Sequence, residues 1–116
     1  MAKNTKGAGQ LVELVAFEER GLVANDYGAK QDGFVEQFRV RAAFEFARGG
    51  EDVIGARLEG KQPVLVRVRA SAATRRIRPD WRMLDLHNSV AYAIRAIAPT
   101  PDRSGFLIQV ESGVAA

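Results

Sequence analysis

The sequence predicts an all-β fold: a small antiparallel six-stranded β-barrel with two long loops and at most one short helix. Three observations lead there. Runs of period-two alternation recur along the chain, clusters of turn residues separate them, and no helical periodicity is long enough to cross between parallel strands. Closure follows from size, because an open sheet of six strands would leave two edges of unpaired backbone groups.

The elements follow in chain order. Leu11 to Phe17 is an apolar run interrupted by Glu13, a weakly patterned first strand. The clearest signal is Phe38 to Phe46. There Phe38, Val40, Ala42, Phe44 and Phe46 alternate with Arg39, Arg41, Ala43 and Glu45, which predicts one buried face. Val64, Val66 and Val68 alternate with Leu65, Arg67 and Arg69 to give a third strand, β-branched on its inner side. Trp81 to Leu86 alternates loosely, and His87-Asn88-Ser89 supplies turn chemistry after it. Val90 to Ala98 places Tyr92, Ile94 and Ala96 on one side. Phe106, Ile108 and Val110 form the last strand, joined to its predecessor through Pro99 to Gly105, which reads as a hairpin connection.

Two connections are long. Glu18 to Gly33 holds Gly21, Asn25-Asp26, Gly28 and Asp32-Gly33, a density of turn formers that predicts an exposed, mobile loop. Arg48 to Lys61 opens on Gly49-Gly50 and closes at Gly60, with Val53, Ile54 and Leu58 spaced for one short helical face at most. Loops of this length in a small domain usually carry function.

At 116 residues the chain is expected to form a single domain over residues 10–113, after a flexible N-terminal tail, residues 1–9. It contains no cysteine, which excludes disulfides, zinc-thiolate sites and thiol catalysis. No apolar run approaches the roughly 18 residues of a membrane span, so no membrane partner is expected. The basic N-terminus runs into Gly7-Ala8-Gly9 rather than an apolar segment, which points away from a secretory signal and toward the cytoplasm.

Catalytic chemistry finds few residues. His87 is the one histidine, with Asp85 and Ser89 two positions away on either side. A tight turn scatters such side chains instead of converging them as a triad requires, so His87 reads as a turn histidine. One histidine without cysteine leaves only carboxylates for a metal, and none recur at calcium-loop spacing. Gly49-Gly50 is followed by Glu51-Asp52 and lacks a phosphate-loop lysine. No cofactor is expected, and the protein reads as a non-enzyme.

The net charge of +3 is unevenly spread. Arg67 to Arg82 carries six arginines and one acid, a local +5 that leaves −2 for everything else. Such a segment faces phosphates or an acidic protein surface, or simply solubilises a strand edge. Nucleic-acid modules add stacking aromatics, and only Trp81 lies nearby; a tryptophan there is more often core or interface. Tyr27 and Phe34 have no periodic partner, and either anchor a partner or fold over a barrel mouth. The candidate interface is therefore Tyr27, Phe34, Arg75, Arg76, Arg78, Trp81 and Arg82.

Taken in order, Asn25-Asp26-Tyr27-Gly28, Asp32-Gly33-Phe34, Val40-Arg41-Ala42, Gly50-Glu51, Ala56-Arg57 and Val64 to Arg69 form a pattern. It continues through Ile77-Arg78-Pro79-Asp80-Trp81-Arg82, Val90 to Arg95, Arg103, and Phe106 to Glu111. Over roughly residues 10–113 this resembles the head-closure, or head-tail joining, proteins of long-tailed bacteriophages and gene transfer agents. Two departures stand out: Phe34 where tryptophan is common, and Asn88-Ser89 where a glycine turn is common.

The resemblance implies a β-barrel protomer that assembles into a ring with its own copies in the neck of the virion. The portal or adaptor protein would lie above the ring, and the tail or tail-terminator protein below. Assembly would take place in the bacterial host cytoplasm. It also implies that the second long connection, with Arg48, Gly49, Gly50, Glu51, Asp52, Arg57 and Lys61, faces the channel. There it would hold packaged double-stranded DNA without reading its sequence. Two other readings stay open: a β-barrel nucleic-acid-binding module, and another neck protein such as a tail terminator.

Overall fold

The alternating runs pair so that their β-branched and aromatic faces share one interior. In the computed structural model, which describes residues 11–46 and 60–113, they form β1 (Glu13–Ala24), β2 (Lys30–Phe46), β3 (Gln62–Arg69), β4 (Arg82–Asp85), β5 (Val90–Pro99) and β6 (Gly105–Ser112). Every pairing is antiparallel, and the order β1-β2-β3-β6-β5-β4 closes back on β1. The all-β, six-stranded closed architecture expected from the sequence is thus present. A three-residue 3-10 helix, Thr74–Arg76, lies between β3 and β4.

Val15, Phe17, Val66, Met83 and Ile108 are fully buried at the centre of the ring, with Val64, Val68, Trp81, Tyr92, Ile94 and Val110 around them. Burying each such side chain contributes about 1.5–3 kcal/mol. Rings pack in a chain from Phe17 to Phe38 (5.5 Å between centroids) and from Phe38 to Trp81 (6.2 Å).

Three expectations need correction. Glu18 to Gly33 is not a loop: β1 runs on to Ala24, β2 begins at Lys30, and only Asn25–Ala29 turns. Gly21 and Gly33 sit opposite one another in this ladder, beneath the side chains of Val35 and Val23. They are therefore strand residues. On β5, a register shift between Ile94 and Ala96 turns Ala96 outward and lets Ile97 pack on the core instead. On β2, Phe46 does not share the buried face; it is 53% exposed at the strand end, while Phe38, Val40 and Phe44 pack against the core. Most of the connection from Arg48 to Lys61, and the N-terminal tail, lie outside the described residues.

Strand direction gives the ring two unlike ends. At one, Glu18 neighbours Arg82 and Arg69 neighbours Gly105; the β1–β2 hairpin, the β3–β4 segment and the β5–β6 turn leave from here. At the other, Phe46 neighbours Val64, Gln62 neighbours Ser112 and Asp85 neighbours Val90. This second end is where β2 finishes and β3 starts.

Candidate functional site

The β3–β4 segment holds most of the sequence-predicted interface, and its own chemistry makes it rigid. Ser71 and Thr74 bind reciprocally. The Ser71 amide donates to Thr74 Oγ1 (2.8 Å), and the Thr74 amide donates to Ser71 Oγ (3.1 Å). Thr74 Oγ1 donates in turn to the carbonyl of Arg69 (2.7 Å). A hydroxyl that satisfies backbone groups in this way favours a tight turn over a strand. Ile77 and Trp81 then sink into the core, 7% and 4% exposed, and pin the far side. The arginines between them stand on a fixed platform.

Those arginines divide by what they touch. Arg76 donates to Gln37 Oε1 (3.0 Å) and lies over the Trp81 ring at 5.8 Å, tying the segment to β2. Arg82 pairs with the buried Glu18 and sits over Phe34 at 4.3 Å, where Arg20 joins it at 5.0 Å. Cation–π contacts of this kind are worth about 0.5–1 kcal/mol at exposed sites. The guanidiniums of Arg75 and Arg78 have no partner among the described residues, and the same holds for Arg67, Arg69 and Arg103. All five lie on β3 or on the connections at the arginine end.

Placement therefore splits the seven candidates. Tyr27, Arg75 and Arg78 are exposed and uncommitted. Phe34, Arg76 and Arg82 are engaged within the chain, and Trp81 is core, with its Nε1 lacking a hydrogen-bond partner among the described residues. Of the expected channel segment, Arg48, Gly49, Gly50, Glu51, Asp52 and Arg57 lie outside the described residues, and Lys61 is half-buried just before β3. His87 is exposed on the β4–β5 turn, where its amide donates to Asp85 Oδ1 (2.9 Å).

Sequence reasoning missed the arm. Past Glu18, β1 has no neighbour but β2, and before Ala43, β2 is laddered only to β1. The two strands leave the ring together as a ribbon over residues 19–36. Its last six residues on β1 span about 20 Å at roughly 3.3 Å each. At the tip, Asn25 Oδ1 accepts the amides of Tyr27 (2.9 Å) and Ala29 (3.0 Å), and Gly28 takes a φ of 79° that other residues resist. This turn holds Tyr27 at 95% exposure, with Leu22 at 64% behind it.

Beside β3, an outer groove of about 550 Å³ is lined by Ala43, Leu65, Arg67, Pro101, Asp102 and Leu107, among others. Asp102 belongs to the β5–β6 turn. Its Oδ1 accepts the amide and hydroxyl of Ser104 (3.0 and 2.8 Å) and the hydroxyl of Thr100 (2.8 Å). Those bonds hold its carboxyl well below the ordinary range, at about 2.

Comparison with known proteins fits this architecture. The solution structure of a protein from Shigella flexneri 2a superposes with a TM-score of 0.65 at 14% identity, covering 96% of this chain and 100% of that one. That similarity is one of fold. A chain from the virion of a native gene transfer agent particle superposes with a TM-score of 0.58 at 25% identity, covering 89% and 94%. No curated protein sequence matches. A family model described as phage head completion protein matches residues 7–110. That span takes in the whole arm and the arginine segment and nearly all of the ring, and so the chain belongs to the phage head completion proteins.

Proposed function

We propose that this head completion protein is the head-closure piece of a tailed phage or gene transfer agent particle. Copies of it form a ring in the neck, beneath the portal and its adaptor, and the ring retains packaged DNA and receives the tail. A head completion protein is a structural component of the virion. The finer reading rests on one observation above all, the unlike ends of the protomer. Five unpartnered arginines and an exposed arm gather at one end. The strands flanking the segment from Arg48 to Lys61 finish at the other. A closed ring needs unlike complementary surfaces on each copy, and a layered neck needs unlike upper and lower faces. By family resemblance the segment from Arg48 to Lys61 faces the channel, where its near-balanced charge would obstruct DNA without gripping it.

Electron microscopy of particles lacking this protein tests the reading. Heads that leak DNA and carry no tails are expected; normal tailed particles overturn it. Arg75→Glu with Arg78→Glu probes the arginine end without disturbing Arg76, which is tied to Gln37 and Trp81. Loss of head-tail joining is expected, and unimpaired joining would show that this end meets no acidic partner.

The unpartnered arginines also favour a second reading, a β-barrel that binds nucleic acid as a free protomer. It calls for tight DNA binding that falls steeply with salt. Against it, the exposed aromatics among the described residues, Tyr27 and Phe46, stand at the arm tip and at the opposite end of the ring instead of interleaving with the arginines.

A further inference from the structure

An isolated two-stranded ribbon is marginally stable in water and carries two unpaired edges. The arm nevertheless ends in a turn with four hydrogen bonds that fix one tyrosine in solvent: two to Asn25 Oδ1, from Asn25 N to the Ala29 carbonyl (2.8 Å), and from Gly28 N to the Asn25 carbonyl (3.0 Å). A tyrosine presented at low conformational cost is a common anchor in protein interfaces. The arm is also acidic: residues 19–36 carry four acids against two bases, and the carboxylates of Glu19, Asp26 and Asp32 have no partner among the described residues.

The complementary surface lies on the same molecule, where its own arm does not reach, because the ribbon leads away from the ring and leaves Tyr27 in solvent. The groove beside β3 offers apolar walls in Leu65, Leu107 and Pro101, at a size that fits an aromatic side chain with its turn. Unpartnered Arg67, Arg69 and Arg103 lie on its rim or on the adjoining strand and turn. Asp102 also lies on the lining, where its Oδ1 accepts from Thr100 and Ser104. Glu45 remains on the lining, a counterpart for the lysine that the arm carries at Lys30.

We infer that the arm is an assembly strap: Tyr27 of one copy seats in the β3–β6 groove of a second copy of this chain, with Asp26 and Asp32 against Arg67 and Arg69. Arm and groove are different surfaces, so the contact is heterologous and repeats from copy to copy until it closes. The inference rests on the ring reading above and names the contact that builds it.

Because the chain has no cysteine, the contact can be trapped. Ala29→Cys with Leu107→Cys leaves Tyr27 in place. Oxidation of assembled particles is expected to give a ladder of covalent oligomers of this protein from the double variant, and nothing beyond a dimer from either single variant. Glutaraldehyde on unmodified particles reports the ring independently of the arm. A glutaraldehyde ladder without a disulfide ladder overturns the strap and leaves the ring. Absence of both overturns the strap together with the ring. A disulfide from the cysteine introduced at the arm to a different virion protein overturns the second copy as occupant. In parallel, Asp26→Arg with Asp32→Arg is expected to lower the yield of joined particles by about tenfold or more, the effect of 1.4 kcal/mol per contact. Adding Arg67→Glu with Arg69→Glu is expected to restore it. Equal losses without restoration overturn the pairing.

Discussion

Asp85 and Asp102 do similar work at opposite ends of the ring. Each carboxylate gathers donors from its own turn, Asp85 from the residues after it and Asp102 from both sides, and holds a hairpin in shape. Asp85 is 1% exposed; Oδ1 accepts the amides of His87 (2.9 Å) and Asn88 (3.4 Å), and Oδ2 accepts Asn88 Nδ2 (2.9 Å). Asp85→Ala leaves those donors without an acceptor and is expected to lower stability in urea denaturation by about 1–3 kcal/mol. Asp85→Asn keeps Oδ1 as acceptor and should lose less; equal losses would show that the cap is not the cause. Asp102 is exposed and testable by pH. Its carboxyl is lowered to about 2 in the fold, against about 3.9 in an unfolded chain. Its support for the β5–β6 turn is therefore complete above pH ~4 and lost as pH falls from there toward about 2. The carboxyl resonance of Asp102 should titrate near the lower value. A midpoint near the unfolded value would mean that the three hydrogen bonds are absent in solution. His87, by contrast, shares the Asp85 turn through its backbone alone.

Among the elements, the arm and the strand pairs of the ring differ in what supports them. β3 is laddered to β6 along its whole length and packs Val64, Val66 and Val68 inside. The outer arm is held by its own ladder, and at its root by Glu18, Arg82, Phe34 and Arg20. Amides from Leu22 to Asp32 in the free protein are expected to exchange with solvent by local opening, ahead of β3 and β6, which exchange only with global unfolding. Uniform protection would mean that the arm is folded against something. On assembly those same amides should become protected. Gly105 is a fixed point of the ring, since a Cβ there would stand 2.1 Å from the carbonyl oxygen of Val68. Gly105→Ala is expected to cost on the order of 3 kcal/mol, read from the denaturation midpoint.

The same elements show what could be read from the sequence. Val64 to Val68 and Phe106 to Val110 announced themselves, because a strand with one wet and one dry face writes its geometry as alternation. On the arm, Glu19, Gly21 and Val23 are half-buried between exposed Arg20, Leu22 and Ala24. A charge and a glycine thus stand on the drier face and no apolar alternation shows in the sequence, while Gly21 and Gly33 mimic a loop. Their pairing across strands, under Val35 and Val23, is a relation between residues twelve positions apart. On β5 the bulge after Ile94 exchanges Ala96 for Ile97 on the core side, and a single extra residue leaves no mark on composition.

For the whole molecule, closure through the β1–β4 pair joins segments more than sixty residues apart, and nothing local in either segment specifies it. Closure gives every strand of the ring a neighbour on both sides over part of its length, and leaves the arm with none but its own ladder. It also sorts the loops, so that Arg103 of the β5–β6 turn joins the arginines of β3 and the β3–β4 segment at one end of the protomer. Arg75 and Arg78 were legible as candidates from charge alone. Which arginines are free, and that Arg76 and Arg82 are held by Gln37, Trp81, Glu18 and Phe34, depends on side chains distant in sequence. A protomer with an acidic strap, a receptive groove and two unlike ends is suited to a closed, polar ring. Imaging the neck of intact particles at subunit resolution tests this directly. A closed ring of this chain between portal and tail is expected, all arginine ends facing the same way and each arm lying on the next copy. A single copy, or a position elsewhere in the particle, would contradict it.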